Sequence, residues 1–274
     1  MGEDGSVPLV RHVAAQFDIS VNAPADVILS ITPVMAHDRR EERLEMTING
    51  VPMVIDEVAG PVGMRLHTAR GLPVGRMTLT YRASVHGELT PARVSALEEI
   101  EFTRPSRYCD SDRLLAVAQA ELGDIRGLPL LAAARDWANT HLAYVSGSSR
   151  PVDSALDTYL ARRGVCRDFA HLVITFLRAY NVPARLVSVY APGLSPMDFH
   201  AVVEAAYDGQ WWVLDATGLA PRQPMVRIAT GADTSDTAFL TVTRGLVALH
   251  DIQVTATIDG DLPVDDPTTL VALS

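Results

Sequence analysis

Cys166, His200 and Asp215 are the residues of this chain whose types and order permit nucleophilic chemistry. A thiol nucleophile needs a base within hydrogen-bond reach, and the base needs a partner that fixes its tautomer and stabilises the imidazolium. His200 follows Cys166 by 34 residues, and Asp215 follows His200 by 15. Cys166 alone leaves two readings open. At the first turn of a helix, unpaired N–H groups and the positive dipole end favour thiolate, the nucleophilic form. As an isolated thiol it would equally suit a buried apolar site.

The elements around these residues decide whether they can meet. In GVCRDFAHLVITFLRAYN, residues 164–181, apolar side chains recur at Phe169, Leu172, Val173, Phe176, Leu177 and Tyr180. That spacing predicts an amphipathic helix starting near Cys166 and stopping at Asn181, before Pro183. Strands are expected over Ala184–Tyr190 and Phe199–Tyr207, with Asp208-Gly209 turning the chain into Trp211–Asp215. The antiparallel hairpin puts His200 and Asp215 at one end of a sheet, where neighbouring strands lie ~5 Å apart. His171 falls on another face of the helix and is expected to pack or cap. Asp168, at the helix start, is expected to interact with the dipole.

Other chemistries lose their requirements. The 23 basic residues are all arginine, which excludes Schiff-base and Ser–Lys catalysis and a P-loop lysine. No G-x-S-x-G elbow, H-E-x-x-H pair or paired C-x-x-C motif occurs, and papain-type Cys-to-His spacing does not fit. The Glu98, Glu99 and Glu101 run reads as a solvated face. Neither a cofactor nor a metal is called for. A net charge of −10 and the lack of a basic, aromatic-interleaved tract argue against nucleic acid and an anionic membrane surface. No apolar run reaches the ~18 residues of a membrane span. Two cysteines, Cys109 and Cys166, are too few for a disulfide framework, and the N-terminal residues carry no apolar leader core, so a cytoplasmic location is expected.

Ahead of this region, alternation over residues ~8–85 predicts strands at Val10–Ser20, Asp26–Met35, Arg43–Ile48, Met53–Val58, Met64–Ala69 and Gly75–Val85, with an Asn49-Gly50 hairpin. His12, His37, His67 and His86 lack metal-ligand spacing and are expected at the surface or at sheet edges. Residues ~86–110 read as a linker. Helices are expected over Arg113–Glu121, capped by Asp110 or Ser111 and stopped by Gly123, over Pro129–His141, and over Ser154–Arg162, capped by Asp153. Cys109 is expected to be structural.

Gly164-Val-Cys-Arg-Asp-Phe-Ala-His171, Leu177-Arg-Ala-Tyr-Asn-Val-Pro-Ala-Arg185, Phe199-His-Ala-Val-Val-Glu204 and Trp211-Trp-Val-Leu-Asp-Ala-Thr217 resemble the transglutaminase-like superfamily. The resemblance spans about residues 111–245, and the β region with the Pro105-Ser-Arg-Tyr108 junction is similar to the N-terminal domain of bacterial members. It implies an α+β fold: a papain-like core, its cysteine helix packed on an antiparallel sheet, over residues 106–274 with C-terminal strands, preceded by a β-sandwich-like domain at 1–105. It further implies Cys166 as nucleophile, His200 as base and Asp215 as its orienting partner, acting through a thioester on glutamine side-chain or peptide amides. The Cys166 N–H would hold the oxyanion, with Tyr144 or Trp137 as an aromatic donor. Tyr144, Asp168 and the loop from Ala191 to Asp198 would govern the oxyanion and substrate. Many relatives carry Trp at the position of Val202, so the acceptor side is expected to differ. Expected partners are protein or peptide substrates, with homo-oligomerisation left open; the alternative is a non-catalytic binding module on the same fold.

Overall fold

Period-two alternation along the first part of the chain produces a long antiparallel sheet. The computed structural model describes residues 9–273, so the residues on which the leaderless reading rests lie partly outside the described ones. β1 (Val10–Leu29) buries Val13, Ala15, Phe17, Ile19 and Val21 on one face. Two strands were expected here; one forms, because register shifts between Val21 and Val27 carry it past Pro24. β2 (Asp38–Ile48), β3 (Val51–Pro52), β4 (Asp56–Ala59), β5 (Arg65–Leu72) and β6 (Gly75–His86) follow. β2 starts earlier than expected because Asp38–Glu42 is polar on both faces and carries no alternation; pairing with β6 imposes the strand. Asn49 and Gly50 both take positive φ, 51° and 79°, as a tight hairpin turn requires. His37 and His67 are buried rather than peripheral.

The expected linker contains α1 (Ala96–Glu101), opened by a capping box in which Ser95 and Glu98 bond reciprocally. Glu98 also pairs with buried Arg185, so it is not part of a solvated face, whereas Glu99 and Glu101 are exposed. Next come α2 (Leu115–Leu122), α3 (Leu128–His141), β7 (Ala143–Tyr144), α4 (Ala155–Ala161), β8 (Arg163–Gly164) and α5 (Cys166–Ala179). Gly123 ends α2 at φ 62°, but no side chain caps its start. Asp110 instead accepts from Ser154 and from the Leu156 N–H, and Ser154 rather than Asp153 caps α4.

A second antiparallel sheet holds β9 (Ala184–Tyr190), β10 (Phe199–Tyr207), β11 (Gln210–Leu214) and β12 (Val226–Gly231) in the order β11-β10-β9-β12. Phe169, Leu172, Val173, Phe176 and Leu177 of α5 join Leu186, Val203 and Leu214 in one apolar cluster. Burying such side chains contributes ~1.5–3 kcal/mol each. A separate cluster, containing Val187, Val202, Val213 and Met225, is covered by Leu273 of the C-terminal tail. That tail is anchored where Arg222 bonds Asp265 and the Val213 N–H donates to the Val271 carbonyl.

After the short α6 (Thr234–Thr237) the chain enters β13 (Leu240–Ile258). This C-terminal strand pairs along the free edge of β1 and becomes the seventh strand of the first sheet. Tyr190, Val226 and Ile228 of the second sheet lie in the core of the first, and the Tyr190 hydroxyl donates to the Ile31 carbonyl at 2.8 Å. Arg178, at the end of α5, donates to the carbonyls of Arg104, Ala184 and Ala232 and so ties the junction to the helix. Among the described residues, no helix is long and apolar enough to cross a membrane.

Candidate active site

Cys166 is the first residue of α5, and its placement starts one residue pair earlier. β7 and β8 form a two-residue parallel bridge that sets Tyr144 opposite Gly164. The Val165 N–H donates to Asp168 Oδ2 at 2.9 Å, so the carboxylate reaches back over the first turn of the helix. A Cβ on Gly164 would stand 2.5 Å from the Asp168 Cβ. Glycine is therefore needed there for close approach, not for an unusual φ.

His200 and Asp215 arrive from the β10–β11 hairpin, where Asp208 and Gly209 turn with φ 52° and 71°. His200 Nε2 lies 2.8 Å from Asp215 Oδ2, and both are buried. The Val203–Leu214 register, continued outward, sets Thr217 opposite His200, so the His–Asp bond runs diagonally across the strands. Thr217 donates to Asp215 Oδ1 through both its N–H, at 2.8 Å, and its hydroxyl, at 2.7 Å. Asn139 of α3 holds the next carbonyl, that of Ala216, at 2.8 Å.

Cys166 lies near enough to the imidazole to favour its charged form. Burial opposes an imidazolium, but the Asp215 charge, its hydrogen bond and the Cys166 interaction outweigh it and push His200 up to about 10. Burial also works against the Asp215 carboxylate, yet His200 and the two Thr217 donors hold it below its ordinary range. The arrangement thus favours a positively charged imidazole between sulfur and carboxylate. Cys166 itself is partly exposed, which leaves the sulfur open to a substrate.

Residues 127–216 match the family model of the transglutaminase-like superfamily. A solved structure of a candidate cysteine protease from Cytophaga hutchinsonii superposes with a TM-score of 0.88 at 31% identity, covering 98% of each chain. The chain belongs to the transglutaminase-like superfamily. An uncharacterized protein of Mycobacterium leprae is 28% identical over 216 residues, covering 76% of this chain and 71% of its own.

Beside the sulfur of this transglutaminase-like chain stands Tyr144. Burial, with Cys166, Asp198 and Asp215 nearby, pushes its phenol up to about 12. It therefore keeps its proton at neutral pH. Trp137 is elsewhere: its Nε1–H donates to Glu121 at 2.9 Å and its ring stacks on His141. Asp168 does not face substrate either. Only 1% exposed, it accepts from Val165, from the Ser149 hydroxyl at 2.9 Å and from Arg167, and so clips the loop after Tyr144 to the start of α5. Val202 is fully buried below the site. His171 packs as expected, stacked on Tyr108 at 5.3 Å and bonded to Thr234, and Cys109 is a buried thiol pushed up to about 12.

Sequence reasoning missed Thr217, Asn139 and Ser149 as supporting residues. The Asp-Ala-Thr order after β11 carried a signal for Thr217, since a hydroxyl two residues after Asp commonly closes a local turn. Asn139 and Ser149 carried none, because their partners are distant in sequence.

Proposed function

We propose that this protein is a cysteine-dependent acyl-transfer enzyme acting on glutamine side-chain or peptide amides. The observation that carries the reading is buried His200, bonded to Asp215 at 2.8 Å and close enough to Cys166, at the start of α5, for the two to interact. The relationship to a candidate cysteine protease supports it. In the first step Cys166 Sγ attacks the amide carbon, and the carbonyl electrons move to oxygen. In this reading the Cys166 N–H and the Tyr144 hydroxyl supply the donors that stabilise that oxyanion. Collapse breaks the C–N bond, His200 delivers its proton to the departing nitrogen, and a thioester remains. Water or an amine then attacks the thioester while His200 takes the incoming proton, and the thiolate is regenerated. Asp215 holds the ring and stabilises its charged form throughout.

Protein or peptide substrates fit a partly exposed nucleophile, and two free cysteines fit a reducing compartment such as the cytosol. The complete Cys–His–Asp array argues against a purely binding role. Incubation with peptides carrying Gln or terminal amides, followed by acid quench and mass analysis, is expected to show an acyl adduct on Cys166 that Cys166→Ala lacks. Thiol alkylation near neutral pH that proceeds at the wild-type rate in Cys166→Ala would sink the assignment.

A further inference from the structure

Asp198 precedes His200 by two residues where the chain enters β10. Between them, Phe199 turns its ring to Phe17, Tyr190 and Phe239, with centroids 6.2, 5.3 and 5.6 Å away. Side chains alternate along extended backbone, so Asp198 and His200 share the opposite side, with Asp198 about 7 Å further along the strand. Its charge acts on both His200 and Tyr144. Asp198 is therefore an exposed carboxylate on the His200 side of the strand, within electrostatic reach of His200 and Tyr144.

This carboxylate is short of partners. Oδ1 accepts the Phe199 N–H at 2.7 Å, and among the described residues no arginine or histidine forms an ion pair with it. The other acids nearby are engaged: Asp215 with His200 and Thr217, Asp168 with Arg167 and Ser149. Although exposed, Asp198 is crowded enough by protein that desolvation raises its pKa. The positive group nearest to it, His200, is already bonded to Asp215, and a partly desolvated carboxylate with no ion pair of its own gains from a cation brought by the ligand.

We infer that Asp198 is a specificity residue that draws a cationic nitrogen of the substrate, an ammonium or guanidinium, to the mouth of the site beside Cys166. This rests on Cys166 being the nucleophile. Without Asp198, the His200 imidazolium and the N-terminus of α5 would give the approach an anion preference; the carboxylate reverses it where substrate enters. The cation has two sources of the same chemistry: an amine that accepts the acyl group, or a basic side chain flanking the reacting amide.

Methanethiosulfonates test the assignment without a known substrate. Rates of Cys166 modification by aminoethyl (cationic) and sulfonatoethyl (anionic) reagents are each normalised to the neutral methyl reagent in the same protein, with adducts located by mass. Asp198→Asn is expected to lower the cation-to-anion ratio about ten-fold relative to wild type, since one unit charge in a wet cleft attracts one reagent and repels the other. Asp198→Glu is expected to stay near the wild-type ratio. An unchanged ratio in Asp198→Asn, or equal loss in Asp198→Glu, overturns the proposal while leaving the nucleophile in place. Slow reaction of wild-type Cys166 with the neutral reagent removes the nucleophile reading and this one with it. With peptide substrates, a loss in Asp198→Asn confined to amine acceptors assigns the cation to the acceptor. A loss confined to Arg- or Lys-flanked amides assigns it to the acyl donor, and no loss with either contradicts the proposal.

Discussion

At the scale of single residues, the proposed chemistry depends on holding three groups in their useful protonation states. His200 is held as a cation by Asp215 and Cys166, with Asp215 in turn held as an anion by Thr217. Tyr144 keeps its phenolic proton because burial and the surrounding negative charge push it up to about 12. Its hydroxyl can therefore donate to a developing oxyanion at any pH where the protein is folded and active. Replacing Tyr144 with Phe deletes that donor and little else, since the ring is 46% exposed and meets Phe169 only at its rim, 6.0 Å between centroids. The expected result is a fall of about 10²-fold in kcat with KM changed by no more than a few fold. Steady-state kinetics on an acyl-donor peptide measures both, and an unchanged kcat would remove Tyr144 from the oxyanion site.

At the scale of elements, the start of α5 is the part on which the rest depends. Asp168 is bonded simultaneously to the backbone before the helix, to Arg167 and to Ser149 in the loop that follows Tyr144. One carboxylate thus fixes the helix entry and the neighbouring loop relative to each other. Gly164 makes room for it, with an added Cβ landing 2.5 Å from the Asp168 Cβ. Gly164→Ala must move either the β7–β8 bridge or the first turn of α5. We expect a stability loss of about 2 kcal/mol or more from the overlap. Slower alkylation of Cys166 should accompany it, because Tyr144 and Cys166 are positioned by the same two strands. Urea unfolding and iodoacetamide kinetics on one preparation check both; a stable variant with unaltered alkylation would show that the entry tolerates the methyl group.

At the scale of the whole molecule, buried histidines set the pH range of the fold. His37, among Arg11, Arg39 and Arg227, and His171, facing Asp233, Arg167 and Arg178, are each lowered to about 3, chiefly by desolvation. Both are neutral in the folded state and bind a proton near 6.5 when unfolded, so the stability they confer is present above that pH and lost as pH falls below it. His200 has the opposite sign. Raised to about 10, it contributes stability that is complete below its unfolded value of about 6.5 and disappears as pH rises toward 10. Stability should therefore peak near neutrality. His37 and His171 together contribute a fall of up to ~2.7 kcal/mol per pH unit on the acid side, and His200 one of up to ~1.4 on the alkaline side. Urea unfolding between pH 4.5 and 8.5, below the range where buried Cys109 adds its own loss, tests this, and His200→Gln should flatten the limb above neutrality alone.

The sequence by itself determined the local periodicities and the order of the chemical groups. The apolar stripe of residues 164–181 forms α5, the Asp208-Gly209 turn forms the β10–β11 hairpin, and that hairpin brings His200 and Asp215 to the same end of the sheet. Such features are set within a few residues of backbone, where propensity and turn chemistry act. Two further features were written locally and overlooked: the Ser95–Glu98 capping box that opens α1, and Thr217 two residues beyond Asp215. The rest needed the tertiary structure, because the partners are far apart in the chain. β13 joins β1 across more than 200 residues by backbone hydrogen bonds that any suitably extended segment could make. Asp168 changes from a residue near the substrate to a buried clip only when Ser149 is brought against it. Asp198 becomes noticeable for lacking a counter-ion, and only the folded chain shows which charges stay unpaired.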